Sequence, residues 1–452
     1  MAAGILFPLH EWLKGHDTLA RRRALERSQW WDAPRIMALQ FERVRRMLGE
    51  AGESVPYYRD LFRRVGFRPE SMQSVSDLGA LPLLTKAAIR ENAESLKAEG
   101  ARRLARYNTG GSSGEPLIFY IGKDRVSHDV AAKWRATRWW DVDIGDPEIV
   151  VWGSPIELGA QDRVRALRDR LLRTRLLPAF EMSQANLDRF VAEIRDMRPR
   201  MLFGYPSSLA HIARHAAARG QRMDDLGIRV AFVTSELLYD DQRRTIAQTF
   251  GCGVANGYGG RDAGFIAHEC PAGGMHLTAE DIVVEIVDAE GRQLPAGQAG
   301  EIVVTHLATG DFPFIRYRTG DVAALDERAC ACGRGLPLLR EIQGRNTDFI
   351  VARDGTLMHG LSLVYLVRDV PGVEKFKIVQ ESLMRTRILL VTGPAFRDDA
   401  LARIRDGAVQ RLGEGVEVSL ERVDDIPREA SGKYRYVVSR VAAPGAASRA
   451  SG

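Results

Sequence analysis

The chain is 452 residues long, 45% hydrophobic, 27% charged and 8% aromatic, which excludes a disordered or fibrous protein over most of its length. Its net charge is only +5, too balanced to point to nucleic acid or to a membrane surface. At roughly 100–200 residues per domain the length allows two to four domains, and a large one with a smaller one is the simplest division. The first residues, MAAGILFPLHEWLKGHD, have no basic stretch before the apolar ones and no clear small-residue cleavage site after them, so no secretory signal is expected. No run of about 18 apolar residues lacks a polar break, so no membrane span is expected either. The expectation is a cytoplasmic protein.

Residues 1–100 are rich in Arg, Glu, Leu and Ala with helical apolar spacing, as in IMALQFERVRRMLGEAG, and read as a helical entry region. From Tyr107 the character changes. Short β-branched runs at 148–153, 228–235 and 301–307 alternate with amphipathic helical segments at 184–198 and 207–220, the second with Ser207 as its cap and Gly220 at its end. Alternating strand and helix signals predict an α/β large domain over 101–343 with a substantial parallel sheet. Ile282–Thr305 reads as an antiparallel hairpin about DAEGRQLPAGQAG. A boundary near Gly344 opens a small α+β domain to about residue 440, with FKIVQ, RILLVTG and VEVSLERV as strands, and residues 441–452 are expected to be disordered.

Two loops carry chemistry. Thr109, Gly110, Gly111, Ser112, Ser113 and Gly114 can turn several N–H groups and hydroxyls toward one anion such as a triphosphate, or can form a plain glycine-rich turn. The loop is not a Walker A motif, because Glu115 stands where that motif needs lysine. A cation for charge developing on a phosphate must come from elsewhere, and Lys433, on the Pro/Ser/Gly-rich PREASGK turn, is the candidate.

These loops, with Tyr258-Gly259-Gly260-Arg261-Asp262, Arg316-Tyr317-Arg318-Thr319-Gly320-Asp321 and Gly344-Arg345 between them, make five motifs in a fixed order over residues 100–440. The arrangement resembles the adenylate-forming superfamily, in particular its phenylacetate-CoA ligase branch and the capsule-biosynthesis-type relatives there. The resemblance implies that Thr109–Gly114 embrace the pyrophosphate end of ATP, that Tyr258 and Gly259 meet the adenine, that Asp262 stands near Mg2+, and that Asp321 grips the ribose hydroxyls. Arg345 would approach the ribose or phosphate, and Asn346-Thr347-Asp348 would form the hinge where relatives usually place aspartate. Asp262 stands where most relatives have glutamate. Ser235 and Glu236 resemble the loop that meets the adenine. Phe203, Tyr205 and Gly260 fall near the acyl pocket, though Phe203 and Tyr205 read equally well as core. Trp134, Trp139 and Trp140 have helical spacing and read as core.

Of the four cysteines, Cys252 reads as simply buried. Cys270 with His276, and Cys330 with Cys332, form two short loops whose Cys3His set suits a structural zinc ion, with His268 as a competing fourth ligand. Arg163, Arg165, Arg168, Arg170, Arg173 and Arg175 make a basic run that reads first as a solvated helical face and second as a contact for CoA phosphates.

The activity implied is ATP-dependent activation of a carboxylic acid as acyl-AMP, followed by transfer to a thiol, most simply CoA. Two alternatives stay open: delivery of the acyl group to a carrier protein, an amine or a sugar, and a nucleotide-binding protein without catalysis. Relatives of the branch are often dimers, which makes a homodimer an expectation.

Overall fold

A computed structural model describes residues 5–108, 117–152, 168–179, 182–343, 349–355, 357–368, 370–426 and 436–441. The chain divides into two compact units. One comprises residues 1–109, 116–146 and 255–344, and the other residues 110–115, 147–254 and 345–452.

The first unit opens with helices α1 (Phe7–Lys14), α2 (Thr18–Ser28), α3 (Ala33–Ser54), α4 (Pro56–Val65) and α5 (Lys86–Glu91), as the apolar spacing predicts. Asp32 caps α3 by accepting from the Arg35 N–H at 3.0 Å, and Pro34 follows in its first turn. Ile36, Val44, Met47, Leu48 and Ala51 are its buried residues, on the 3- and 4-residue spacing of one helix face. Strands β1 (Ala105–Asn108) and β2 (Ile118–Ile121) pair antiparallel, and α6 (Lys123–Arg138) follows at once. Trp134 is buried there, edge-on to Phe7. Trp139 and Trp140 donate their indole N–H groups to Gln29 Oε1 at 2.7 Å and Glu269 O at 3.0 Å, which is how half-buried tryptophans satisfy a polar edge.

The second unit continues with β3 (Glu148–Trp152), β4 (Thr174–Pro178), α7 (Gln184–Met197), β5 (Met201–Gly204), α8 (Pro206–Ala218), β6 (Val230–Thr234) and α9 (Asp240–Phe250). The strands run parallel in the order β6-β5-β3-β4. Every residue of β5 and β6 is buried, as parallel strands covered on both faces require. Leu187, Phe190, Val191 and Ile194 of α7 pack into this core, each such side chain contributing about 1.5–3 kcal/mol.

Two expectations are corrected here. Ser207 is not a cap: α8 begins at Pro206, Tyr205 precedes it without a side-chain cap, and Ser207 lies in the first turn. The arginine run is not one helical face. Arg168 and Arg170 are helical, Arg173 is a left-handed turn residue, and Arg175 lies on β4, 3.3 Å from Glu193; Arg163 and Arg165 lie outside the described residues.

The chain returns to the first unit with β7 (Gly253–Gly260), β8 (Gly264–Glu269), β9 (Met275–Leu277), β10 (Ile282–Val287), β11 (Gly300–His306), β12 (Tyr317–Asp326) and β13 (Leu338–Gln343). Their order is β10-β11-β12-β13-β9-β8-β7, with every neighbouring pair antiparallel, and β10 and β11 form the expected hairpin.

The remainder of the second unit holds β14 (Phe349–Val351), β15 (Leu357–His359), α10 (Leu361–Arg368), β16 (Val373–Ser382), β17 (Arg385–Thr392), α11 (Asp399–Leu412), β18 (Glu417–Arg422) and β19 (Val437–Ser439). The four strands β18-β17-β16-β19 form a mixed sheet with its own apolar core, including Phe376, Ile378, Ile388, Leu390 and Ile404. Buried Gln380 ties β14 to this sheet, accepting from Val351 N–H at 2.9 Å and donating to Val351 O at 2.6 Å. Among the described residues no helix is long and apolar enough to cross a membrane. Residues 442–452 lie outside the described residues.

Candidate functional site

In the first unit, β7 delivers Tyr258, Gly259 and Gly260 to a tight turn, Arg261–Ala263, before the chain reverses into β8. Glycine is required at Gly259 because a Cβ there would lie 2.2 Å from Gly264 O across the hairpin. Tyr258 projects from this strand and donates its hydroxyl to Asp321 Oδ2 at 2.9 Å. Asp321 lies on β12, where its N–H donates to Thr319 Oγ1 at 3.2 Å, and Thr319 in turn donates to Ile302 O at 2.8 Å. The carboxylate is half-buried and its position is fixed from both the backbone and the Tyr258 side.

A second pair repeats this arrangement. Tyr317, fully buried and stacked on Phe314 with ring centroids 5.0 Å apart, donates to Asp262 Oδ2 at 2.6 Å. The other oxygen, Oδ1, lies over Gly260, where a Cβ would come within 2.7 Å of it. Asp262 therefore presents a carboxylate oriented through one oxygen, a donor that suits a hard cation such as Mg2+. The first unit thus brings together Tyr258 with Asp321 and Asp262 with Tyr317, the last a residue whose role the sequence did not reveal.

In the second unit, Ser235 follows β6 with φ +70° and turns the chain so that Glu236 reaches α8. Glu236 Oε2 accepts the Ser207 N–H at 3.1 Å, supplying the cap that α8 lacks from its own N-terminal residue. Burial pushes the Glu236 carboxyl up to about 7 against the hydrogen bonds from Ser207. Phe203 is buried between Phe232 and Trp152, at centroid distances of 6.0 and 5.8 Å, so its ring is core. Tyr205 is half-buried and stacks on Trp152 at 4.4 Å.

The cysteines and one histidine gather in the first unit. Ligand atoms of Cys270, His276, Cys330 and Cys332 all lie within 4.8 Å of one another, with Cys270 Sγ 3.6 Å from Cys330 Sγ and Cys332 Sγ 3.2 Å from His276 Nε2. A zinc tetrahedron with bonds of about 2.3 Å has sulfur–sulfur edges of about 3.8 Å, so the donor set and its spacing fit that ion. His276 Nδ1 faces Leu336 O at 3.4 Å, which leaves Nε2 to the cluster. Gly274 has no room for a side chain, since a Cβ would meet Cys330 Sγ at 2.6 Å. Burial pushes the Cys270 thiol up to about 12 and the His276 imidazole down to about 4; a bound cation is the neighbour that stabilises a thiolate. His268 is not among the four: it lies on β8, stacked on Phe265. Cys252 is half-buried and is not among the four. Thr109–Gly114, Arg345, the hinge residues 346–348 and Lys433 lie outside the described residues.

A family model described as AMP-binding enzyme matches residues 174–309, and one described as CapK C-terminal domain matches residues 350–440. Protein CapK of Staphylococcus aureus is 22% identical over 410 residues, covering 90% of each chain. Phenylacetate-coenzyme A ligase of Thermus thermophilus is 25% identical over 437 residues, covering 89% of this chain and 96% of that one. The crystal structure of 2-hydroxyisobutyryl-CoA ligase with 2-HIB-AMP and CoA in the thioesterification state is similar in fold, with a TM-score of 0.66 at 23% identity over 91% of each chain.

Proposed function

The chain belongs to the adenylate-forming superfamily, in its phenylacetate-CoA ligase-like branch, and from that premise we propose that it is an AMP-forming acid–CoA ligase. The observation that carries this reading is the pairing of Tyr258 with Asp321 and of Tyr317 with Asp262, which joins β7, β12 and the Arg261–Ala263 turn of one unit through an aromatic ring and two carboxylates. A carboxylate with two acceptor oxygens suits a vicinal diol, so Asp321 binds the ribose of ATP while the Tyr258 ring lies against adenine. Gly259 keeps that surface free of side chains. Thr109, Gly110, Gly111, Ser112, Ser113 and Gly114 cradle the outer phosphates, Ser235 and Glu236 border the nucleotide, and Arg345 approaches ribose or phosphate.

The carboxylic acid attacks the α-phosphorus, the bond to the bridging oxygen breaks, and pyrophosphate leaves. Little covalent chemistry falls to the protein, so positioning and electrostatics dominate. Lys433 neutralises charge between acid and phosphate. Magnesium, held through Asp262, supplies charge neutralisation on the phosphates. The CoA thiol then attacks the acyl carbonyl and AMP departs. On this reading residues 344–440 act as a small mobile domain, residues 101–343 form the ATP- and acyl-binding core behind a helical region 1–100, Tyr205 and Gly260 border the acid, Cys270, His276, Cys330 and Cys332 hold a structural zinc ion, and the enzyme works in the cytoplasm.

A second reading rests on the C-terminal match to the CapK domain. There the acyl group passes to a carrier protein, an amine or a sugar instead of CoA. Both are tested by pyrophosphate release from ATP and Mg2+ over a panel of aryl and fatty acids, with and without CoA. Acid-dependent release that falls by about 10²–10³ in Lys433→Ala supports adenylation. A thioester product that requires CoA selects the first reading, release without a CoA product selects the second, and no release with any acid overturns both.

A further inference from the structure

Beneath the Arg261–Ala263 turn lies a buried polar cluster that the proposed reaction does not use. Arg125, 1% exposed on α6, donates Nη2 to Arg261 O at 3.2 Å and Nε to Asp129 Oδ2 at 2.9 Å, one helical turn away. The other oxygen of Asp129 faces His128 Nδ1 at 3.4 Å and His306 Nε2 at 3.7 Å. His128 and His306 meet edge to face at 4.9 Å, and His128 Nε2 lies 3.5 Å from Asp281 Oδ2, which Arg43 also holds. The cluster presses on the turn itself: a Cβ on Gly264, φ +85°, would come within 2.8 Å of the His306 ring and 3.1 Å of the Arg125 guanidinium.

Donor atoms of His128, Asp129 and His306 lie within 4.8 Å of one another, close enough for a cation. Their chemistry argues otherwise. His306 Nδ1 accepts the Ala308 N–H at 3.2 Å, so in the neutral ring Nε2 carries the proton and has no lone pair for a metal. Arg125 already places a full positive charge against Asp129. Burial alone would raise the Asp129 carboxyl, but Arg125 and the two histidines hold it well below the usual range, so it stays an anion.

We propose that Arg125, fixed by Asp129 and through it by His306 and His128, is a positioning residue that holds the Arg261–Gly264 turn so that Asp262 is presented to the magnesium–nucleotide complex. The proposal rests on the nucleotide-binding reading above. A carboxylate engaged on both oxygens fixes the plane of the guanidinium, and a guanidinium so fixed donates to one carbonyl in one direction. Tyr317 holds Asp262 from one side, and Arg125 holds its backbone neighbour from the other. Without Asp129 the guanidinium is free to turn away, and the turn loses a charge-assisted donor.

The test uses the full chain with Asp129→Asn and, should that variant fold poorly, Arg125→Lys. Hydrogen exchange of a peptide covering residues 257–268 is expected to quicken about tenfold while a peptide from α3 is unchanged. Pyrophosphate release is expected to fall about 10–100-fold, with half-saturating Mg2+ raised and partial rescue at high Mg2+, while KM for the acid stays within twofold. In an Asp262→Asn background the added Asp129→Asn should then cost less than about twofold, because both act on one group. Unchanged exchange in the turn overturns the proposal. So does an activity loss independent of Mg2+ that multiplies fully with Asp262→Asn. If the wild type releases no pyrophosphate with any acid, the ligase reading fails, and the exchange measurement still decides whether the turn is braced.

Discussion

Arg316 and Glu285 form a buried ion pair in which the guanidinium Nε lies 3.1 Å from each carboxylate oxygen. The same guanidinium donates to the carbonyls of Gly79, Leu81 and Gly291, and its backbone is left-handed at φ +53°. The first arginine of the Arg-Tyr-Arg-Thr-Gly-Asp motif therefore ties β10 and the turn at Gly291 to residues 79–81. Glu285→Ala leaves that charge buried and uncompensated. It should destabilise the protein by about 3–5 kcal/mol in urea unfolding while activity per folded molecule is retained.

Much of this architecture was legible in the chain. The helix at α7 announced itself through Leu187, Phe190, Val191 and Ile194, and the β10–β11 hairpin through its turn residues. The α8 cap is not legible in the sequence because Ser207 has the right chemistry at the wrong position, one residue inside a proline-started helix, and because the true cap, Glu236, comes from 29 residues away. The arginine run misled because a charge pattern reports solvent, not backbone, and the chain turns to a strand at Thr174. Tyr317 stood in a recognisable motif without a signal that its hydroxyl reaches Asp262. Asp129 and His306 lie 177 positions apart in sequence, and only the i, i+4 spacing of Arg125 with Asp129 was open to inspection.

Tyr258→Phe keeps the ring and removes one hydroxyl, so it isolates the bond to Asp321. The carboxylate loses one of the contacts that orient it. An increase in the KM for ATP of about tenfold with kcat reduced less than threefold is expected from steady-state pyrophosphate release, a hydrogen bond to a charged group being worth about 1.5–3 kcal/mol. A fall in kcat alone would count against a ground-state nucleotide role.

Glu236 sets a pH dependence of stability. Its folded value of about 7 lies above its ordinary 4.5, so the folded state binds the extra proton between those values. The contribution is fully present below pH 4.5 and is lost as pH rises through 7. Glu236→Gln, which keeps an acceptor for the Ser207 N–H, should therefore stabilise the protein at pH 8 by about 1–2 kcal/mol relative to wild type. It should be close to neutral at pH 4. Thermal melts across pH 4–9 give the comparison, and a difference that grows toward acid pH would refute it.

The Cys3His set predicts one zinc ion per chain. Metal analysis of the purified protein should give close to one equivalent, and Cys330→Ser should lose it. Losing a closed tetrahedral site should lower stability by several kcal/mol, with the melting midpoint falling in the variant and in chelator-treated wild type alike. Protein that melts identically with and without chelator, and that contains no zinc, would remove the ion from this account.

Cys270 and Cys330 are separated by 60 residues of chain, and the intervening stretch holds β9, β10, β11 and all of β12, including Asp321. A metal link across such a span would remove about 4 kcal/mol of chain entropy from the unfolded ensemble. Cys330 and Cys332 are brought to Cys270 and His276 by the register that sets Leu338 against His276. Closure of the cluster and placement of Asp321 therefore depend on one and the same set of strand pairings, those of β9, β12 and β13.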